Sequence, residues 1–233
     1  MSGYAIAERD VPSQRERGDT ADVRVTIDRN AGCERLEQRI MRFAPGRSQP
    51  RRLDTKQEVL YVASGTGALH LEGMPHALEP DMGAYVAAGE SYEVENSGPE
   101  ELVLVSVLAP QELPPGEQRQ VTVRYADRPA LPASPNREFR FLVDHEAGCH
   151  DVTQFVGVIP PGRAPLHSHI YDEIVYVIEG EGILHMNDRE SPLGPGSCVH
   201  LPPLHEHSLE NTGDAPMRVL GVFHPSGDPA SRA

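Results

Sequence analysis

Pro161-Gly162-Arg163-Ala164-Pro165-Leu166-His167-Ser168-His169-Ile170-Tyr171-Asp172-Glu173, continuing through an apolar run to Gly180-Glu181-Gly182, decides how this chain is read. Much of the stretch occurs twice. Pro161-Gly162-Arg163 repeats Pro45-Gly46-Arg47 at an offset of 116. After a one-residue slip, Glu173 repeats Glu58, Gly180-x-Gly182 repeats Gly65-x-Gly67, and His185 repeats His70. Further out, Asp144-x-x-Ala147-Gly148-Cys149 repeats Asp28-x-x-Ala31-Gly32-Cys33, and Gln154 repeats Gln38. Asn211-x-Gly213 repeats Asn96-x-Gly98, and Pro225 repeats Pro110. Self-similarity at a fixed offset signals a duplicated structural unit. The boundaries that follow are a polar N-terminal arm (1–22), a first domain (23–110), a Pro-rich charged linker (111–137) and a second domain (138–226).

Each copy reads as all-β. Short apolar runs recur between Gly/Pro turns: 152–159, 173–178, 182–186, 198–201 and 217–223, and in the first copy 39–43, 58–63, 84–88 and 102–108. They are rich in β-branched residues, and no long stretch keeps a 3.6-residue period. Many short strands at regular spacing predict a sandwich or barrel. The paired glycines suit tight turns that need positive φ.

Composition narrows the function. Of 233 residues, 35 are acidic and 21 basic, a formal net charge of −14. Nucleic-acid binding draws its affinity from Lys and Arg on phosphates, so that class is disfavoured, as is docking on an anionic membrane. Lys56 is the single lysine, which leaves one position for Schiff-base chemistry. The first twenty residues hold no apolar signal core, and no stretch is long and apolar enough to span a bilayer. Cys33, Cys149 and Cys198 form no CxxC pair and read as buried inert thiols. The expected compartment is the cytoplasm.

The histidines carry the chemistry. Nine of eleven follow residue 140. On an extended chain alternate side chains share a face, so His167, His169 and Glu173 can point one way. His207, on a neighbouring strand, completes a set of three imidazoles and one carboxylate. Such a set suits Fe, Mn, Ni, Zn or Cu, and it leaves positions open for a small chelating molecule or dioxygen. The first copy has Arg52, Asp54 and Tyr92 in place of the histidines and retains only Glu58. Arg52 repels a cation, so no metal is expected there, and an ion pair of Arg52 with Asp54 or Glu58 replaces it. His185, Gln154 and Arg163 have twins in the metal-free copy and read as structural. Cys198 and His200 read as core, His205 as a supporting or loop residue, and Tyr171 as a mouth or surface residue. No GxSxG elbow, phosphate-binding loop or dinucleotide loop occurs.

The two stretches Gly162-x4-His167-x-His169-x3-Glu173-x6-Gly180 and Gly196-x5-Pro202-x-Leu204-x2-His207-x3-Asn211 resemble the two cupin motifs. With the duplication, the chain resembles a bicupin over nearly all of residues 28–225. The resemblance implies two tandem jelly-roll β-barrels and one divalent transition metal per chain, held by His167, His169, Glu173 and His207 in the C-terminal barrel. Two departures stand out. One residue is missing between Gly162 and His167, and Leu204 replaces the motif's second glycine. The activity implied is a metal-dependent, dioxygenase-type oxidation of a small molecule, with Glu173 able to act as base. The alternatives are a non-redox bicupin enzyme (an isomerase, a decarboxylase or a ureidoglycine aminohydrolase-like enzyme) and a non-catalytic metal- or ligand-binding cupin. The expected partner is a small molecule, not nucleic acid or membrane, and exposed barrel edges allow a homodimer.

Overall fold

Along Asp172–Glu179, Ile174 and Tyr176 join one apolar cluster while Val175 and Val177 join another. Successive side chains on a strand face opposite ways, so this strand is buried on both faces. Lys56–Ser64 does the same, with Val59 and Tyr61 on one side and Leu60 and Val62 on the other. These two strands define three layers of core: the interior of each barrel, and an apolar layer between the barrels. A computed structural model, which describes residues 4–134 and 136–230, shows how the layers are built.

The second half forms a seven-stranded and a four-stranded sheet. The larger runs in the order Tyr4–Ala7, Ser197–Leu201, Asp172–Glu179, Met217–His224, Thr153–Ile159, Arg137–Val143, Leu131–Ser134. The smaller runs Gly162–Arg163, His207–Asn211, Gly182–Met186, Arg189–Leu193. The first half repeats the plan. Its larger sheet runs Thr122–Arg124, Met82–Val86, Lys56–Ser64, Leu102–Pro110, Glu37–Phe43, Ala21–Ile27. Its smaller sheet runs Gly46–Arg47, Ser91–Asn96, Gly67–Leu71, Met74–Leu78, with Arg51–Arg52 also on Ser91–Asn96. All the strand pairings of both halves are antiparallel. The fold is all-β, two jelly-roll barrels in tandem, as read from the sequence. Among the described residues the only helices are four three-residue 3-10 turns.

The segments outside the barrels are strands on loan. Tyr4–Ala7, in the stretch read as a polar arm, pairs with Ser197–Leu201 of the second barrel. Thr122–Arg124, in the stretch read as a linker, pairs with Met82–Val86 of the first. Each covers an open edge of the barrel that its own half does not build. Residues 1–3 of the arm and residue 135 of the linker lie outside the described residues.

The repeated residues are architectural. Asp28 and Asp144 cap a 3-10 turn, accepting backbone N–H bonds from Ala31 and Ala147 respectively, and Gly32 and Gly148 close it in the left-handed region. The cysteine that follows each is fully buried. Burial pushes the Cys33, Cys149 and Cys198 thiols up to about 12, and none forms a disulfide. Asn96 and Asn211 each donate to two backbone carbonyls and accept from the glycine two residues on. His70 bonds Glu95 at 2.8 Å and His185 bonds Glu210 at 2.7 Å, so each twin ties neighbouring strands of its barrel's smaller sheet.

Candidate metal centre

The expectation of an extended chain from His167 to Glu173 fails in the middle. His167 makes an isolated antiparallel bridge with His207, a bend occupies Ile170–Tyr171, and the strand starts only at Asp172. Three of the four candidates converge all the same, and His167 stands beside them. The bridge sets the two rings 4.5 Å apart, centroid to centroid. Glu173 Oε2 stands 2.9 Å from His169 Nε2. Donor atoms of His169, Glu173 and His207 all lie within 4.8 Å of one another, in buried surroundings. His167, half-buried, flanks this trio through its contact with His207.

One hydrogen-bond pattern recurs on all three histidines. Nδ1 of His167 faces Pro165 O at 3.2 Å, Nδ1 of His169 faces Tyr171 O at 2.9 Å, and Nδ1 of His207 faces His205 O at 2.9 Å. Each carbonyl fixes the tautomer with the proton on Nδ1, which leaves the Nε2 lone pair for another partner. His169 Nε2 is buried and makes no hydrogen bond although Glu173 is close, because with the proton on Nδ1 it has none to donate to the carboxylate. A buried ring nitrogen left without a bond costs about 1–3 kcal/mol. The donor set fits a divalent metal: two imidazole nitrogens and one carboxylate lie together, one of the nitrogens without a hydrogen bond, and the His167 ring stands beside them. Burial, the largest effect, pushes the His207 pKa down to about 4, so this ring is neutral at ordinary pH.

The second motif's loop is pinned to the first. Leu204 N donates to His169 O at 2.7 Å. Leu204 has φ +62° and is exposed. It occupies the position where the cupin motif has glycine, and the backbone there still adopts the left-handed region that glycine favours. The residue changed and the turn did not.

Gly221 was not singled out by the sequence reading. A Cβ there would sit 2.3 Å from the Phe155 ring and 3.1 Å from Glu173 Oε1. The bare glycine lets the carboxylate and the aromatic wall coexist. Its twin at the same offset is Ser106, whose hydroxyl donates to Glu58 Oε1. Tyr92, in the third histidine's place, donates to the other Glu58 oxygen at 2.8 Å. Burial raises the Glu58 pKa, and Arg52 pairs with Asp54 at 2.9 Å. The first barrel's glutamate is thus capped on both oxygens, and the predicted Arg52–Asp54 ion pair stands at the positions that correspond to His167 and His169. Aligning the two copies at residue 221 would have exposed the contrast.

Beside the second barrel's donors lies a cavity of about 120 Å³. Its walls are mainly apolar, including Phe139, Phe155, Tyr171, Val175, Leu201 and Val219. Tyr171 stacks on His169 at 4.2 Å and on Phe223 at 4.0 Å, so it lines the site rather than the surface.

The cupin-domain family model matches residues 39–108 and 155–223, together more than half of the chain. The chain belongs to the cupin family. Two copies make it a bicupin. An oxalate-binding protein of Thermotoga maritima is 36% identical over 89 residues, which cover 37% of this cupin and 74% of that protein. An uncharacterised protein of Methanocaldococcus jannaschii is 30% identical over 70 residues, 29% of this cupin. The bicupin spans only 56% of that relative's length. A point mutant of the oxalate decarboxylase of Bacillus subtilis superposes with a TM-score of 0.80 over 97% of this cupin and 78% of that chain, at 15% identity. That likeness shows the fold alone. Among the described residues, no helix is long and apolar enough to cross a membrane.

Proposed function

We propose that the C-terminal barrel holds one divalent transition metal on His167, His169, Glu173 and His207 and oxidises a small oxygen-donor molecule there in a dioxygenase-type reaction. The observation that carries the reading is the cluster of His169, Glu173 and His207 donor atoms within 4.8 Å of one another, in which the buried His169 Nε2 has no hydrogen bond. A metal bound there supplies Lewis acidity or a redox couple. The chain supplies the rest. Peptide carbonyls hold the three rings in one tautomer. Glu173 uses Oε2 beside His169, while Oε1 faces the space that Gly221 leaves open. It is the group placed to take a proton from an enol or hydroxyl as the substrate seats. Phe139, Phe155 and Tyr171 keep water from the reacting face. Because an apolar cavity of roughly 150 Å³ accommodates benzene, this one admits a molecule of about one ring or less.

Oxygen uptake tests the proposal. The iron- and manganese-loaded protein is offered small molecules carrying two adjacent oxygens: catechols, enediols, β-diketones and 2-oxo acids. Uptake with at least one of them, lost in His169→Ala and Glu173→Gln, is expected. No uptake across the panel would sink the oxidative reading. The 36% identity to an oxalate-binding protein favours a second, non-redox reading in which a small dicarboxylate binds or loses carbon dioxide. Oxalate binding followed by calorimetry, with carbon dioxide release in the absence of oxygen uptake, separates the two.

A further inference from the structure

On the opposite face of the same strand stands a second group of donors. Asp172, the first residue of Asp172–Glu179, and His200, in Ser197–Leu201, share the sheet face that meets the first barrel. Cys33 arrives from the first barrel, directly after its capped 3-10 turn. Ligand atoms of Cys33, Asp172 and His200 lie within 4.8 Å of one another, and all three residues are buried. His200 is only 1% exposed. One of its ring nitrogens, Nε2, meets Asp172 Oδ1 at 2.9 Å. The other, Nδ1, has no partner. His224 pairs directly with Asp172 in the strand ladder, so it shares that face, and its Nδ1 is also buried and unpartnered. Buried polar atoms are nearly always satisfied. Two orphaned imidazole nitrogens beside a carboxylate and a thiol need an explanation.

The duplication supplies a control. The twin of Cys33 is Cys149, and past the one-residue slip Gln57 stands where Asp172 does and Tyr85 where His200 does. There the thiol donates to Gln57 Oε1 at 3.3 Å. Gln57 Nε2 donates to Pro110 O at 2.7 Å and to Asp151 Oδ2 at 3.2 Å. The twin's polar atoms thus bond one another, with groups that are poor metal ligands. Only the Cys33 copy combines sulfur, imidazole and carboxylate.

We propose that Cys33, Asp172 and His200 form a second cation site, between the barrels, that takes a zinc-type divalent ion. Thiolate, imidazole and carboxylate together suit zinc, and one carboxylate with one thiolate neutralises a dication in this dry layer. On binding, the Cys33 thiol proton leaves to solvent and the sulfur lone pair goes to the metal. The ion joins a first-barrel residue to two second-barrel residues, so it fastens the halves together. It does not occupy either barrel's interior, and the first barrel stays metal-free. The proposal does not depend on the reaction assigned to the second barrel.

Cobalt reports this site selectively, because of the two sites only this one contains sulfur. The full-length protein is expressed in cobalt-supplemented minimal medium, and its near-ultraviolet absorption is recorded. A sulfur-to-cobalt charge-transfer band is expected in the wild type. His169→Ala and Cys149→Ser keep it, whereas Cys33→Ser and Asp172→Asn lose it. Wild-type protein containing cobalt without that band overturns the site, and this holds even if a variant fails to fold. A band that survives in Cys33→Ser also overturns it.

Discussion

His169→Ala separates the metal's contribution to stability from the protein's own. In the metal-free state the substitution removes the bond from Nδ1 to Tyr171 O and the ring stack on Tyr171. Those losses amount to about 1 kcal/mol each. It also removes the orphaned Nε2, which relieves a desolvation cost of about 1–3 kcal/mol. The terms nearly cancel, so the metal-free variant melts within a few degrees of the metal-free wild type. With metal at a hundredfold excess over Kd, the wild type gains about 2.7 kcal/mol. For a chain of this size that is an increase of roughly 5–11 °C. The variant gains little of it. The assay is a thermal melt with chelator and then with Mn(II), Fe(II) and Ni(II) in turn, with elemental analysis of the same samples. Mn(II) is the cleanest member because it has little affinity for thiolate and leaves the Cys33 group alone. If none of the three ions distinguishes wild type from variant, in melting temperature or in metal content, the reasoning about the imidazole cluster is wrong.

Leu204→Gly should raise the urea midpoint, with a gain of up to about 1 kcal/mol. Holding the left-handed region costs a non-glycine residue roughly 1–2 kcal/mol there, and glycine's extra unfolded-state freedom offsets part of the relief. A lower midpoint would contradict this. Glu58→Gln should flatten the pH profile of stability. The raised Glu58 pKa means its protonated form favours folding at low pH, and that contribution is lost as pH rises through the folded-state pKa. The variant should overtake the wild type toward neutral pH in chemical denaturation, and parallel profiles would refute the sign. Gly221→Ser gives the second barrel the first barrel's residue. Its Cβ meets Phe155 at 2.3 Å, so a loss of about 1–3 kcal/mol is expected, together with reduced metal content by elemental analysis. Full metal content would refute the idea that a bare Gly221 keeps Glu173 open.

The parts of the fold legible in the sequence were those with local causes. The run at 182–186 reads as a strand and is one, because Gly180 and Gly182 mark the turn before it. Gly180 has φ +89°, and a Cβ on Gly182 would meet Glu210 O at 2.2 Å. Arg189–Leu193 was not legible: it is a polar edge strand containing Pro192, and its partner, not its composition, makes it a strand. The exchanged strands at Tyr4–Ala7 and Thr122–Arg124 were hidden for the same reason. At the site, residue spacing was enough to single out His167, His169, Glu173 and His207 as candidates, since the motif lies within two short stretches. Spacing alone did not reveal the bend at Ile170–Tyr171, the role of Gly221 or the meeting of Cys33 with His200. Each of these depends on residues far apart in the chain.

The exchange of strands also ties the first barrel, which lacks the three histidines, to the second. Tyr4–Ala7 belongs to the chain's start but pairs along Ser197–Leu201, the strand whose Leu201 lines the second cavity. Just beyond it, Glu8 N donates to Gly196 O at 2.9 Å, while the Glu8 carboxylate pairs with Arg42 of the first barrel. With the apolar layer between the large sheets, these contacts make each barrel part of the other's wall, so the first barrel matters to the site even with Glu58 sealed. The two copies differ most where the candidate site lies. His70 and His185, Asn96 and Asn211, and the two capping aspartates match, whereas Arg52, Asp54, Tyr92 and Ser106 stand where His167, His169, His207 and Gly221 stand in the other copy. Glu173 agrees with its twin Glu58, so there the contrast lies in the neighbours: Ser106 and Tyr92 cap both Glu58 oxygens, whereas Gly221 and His207 stand beside Glu173.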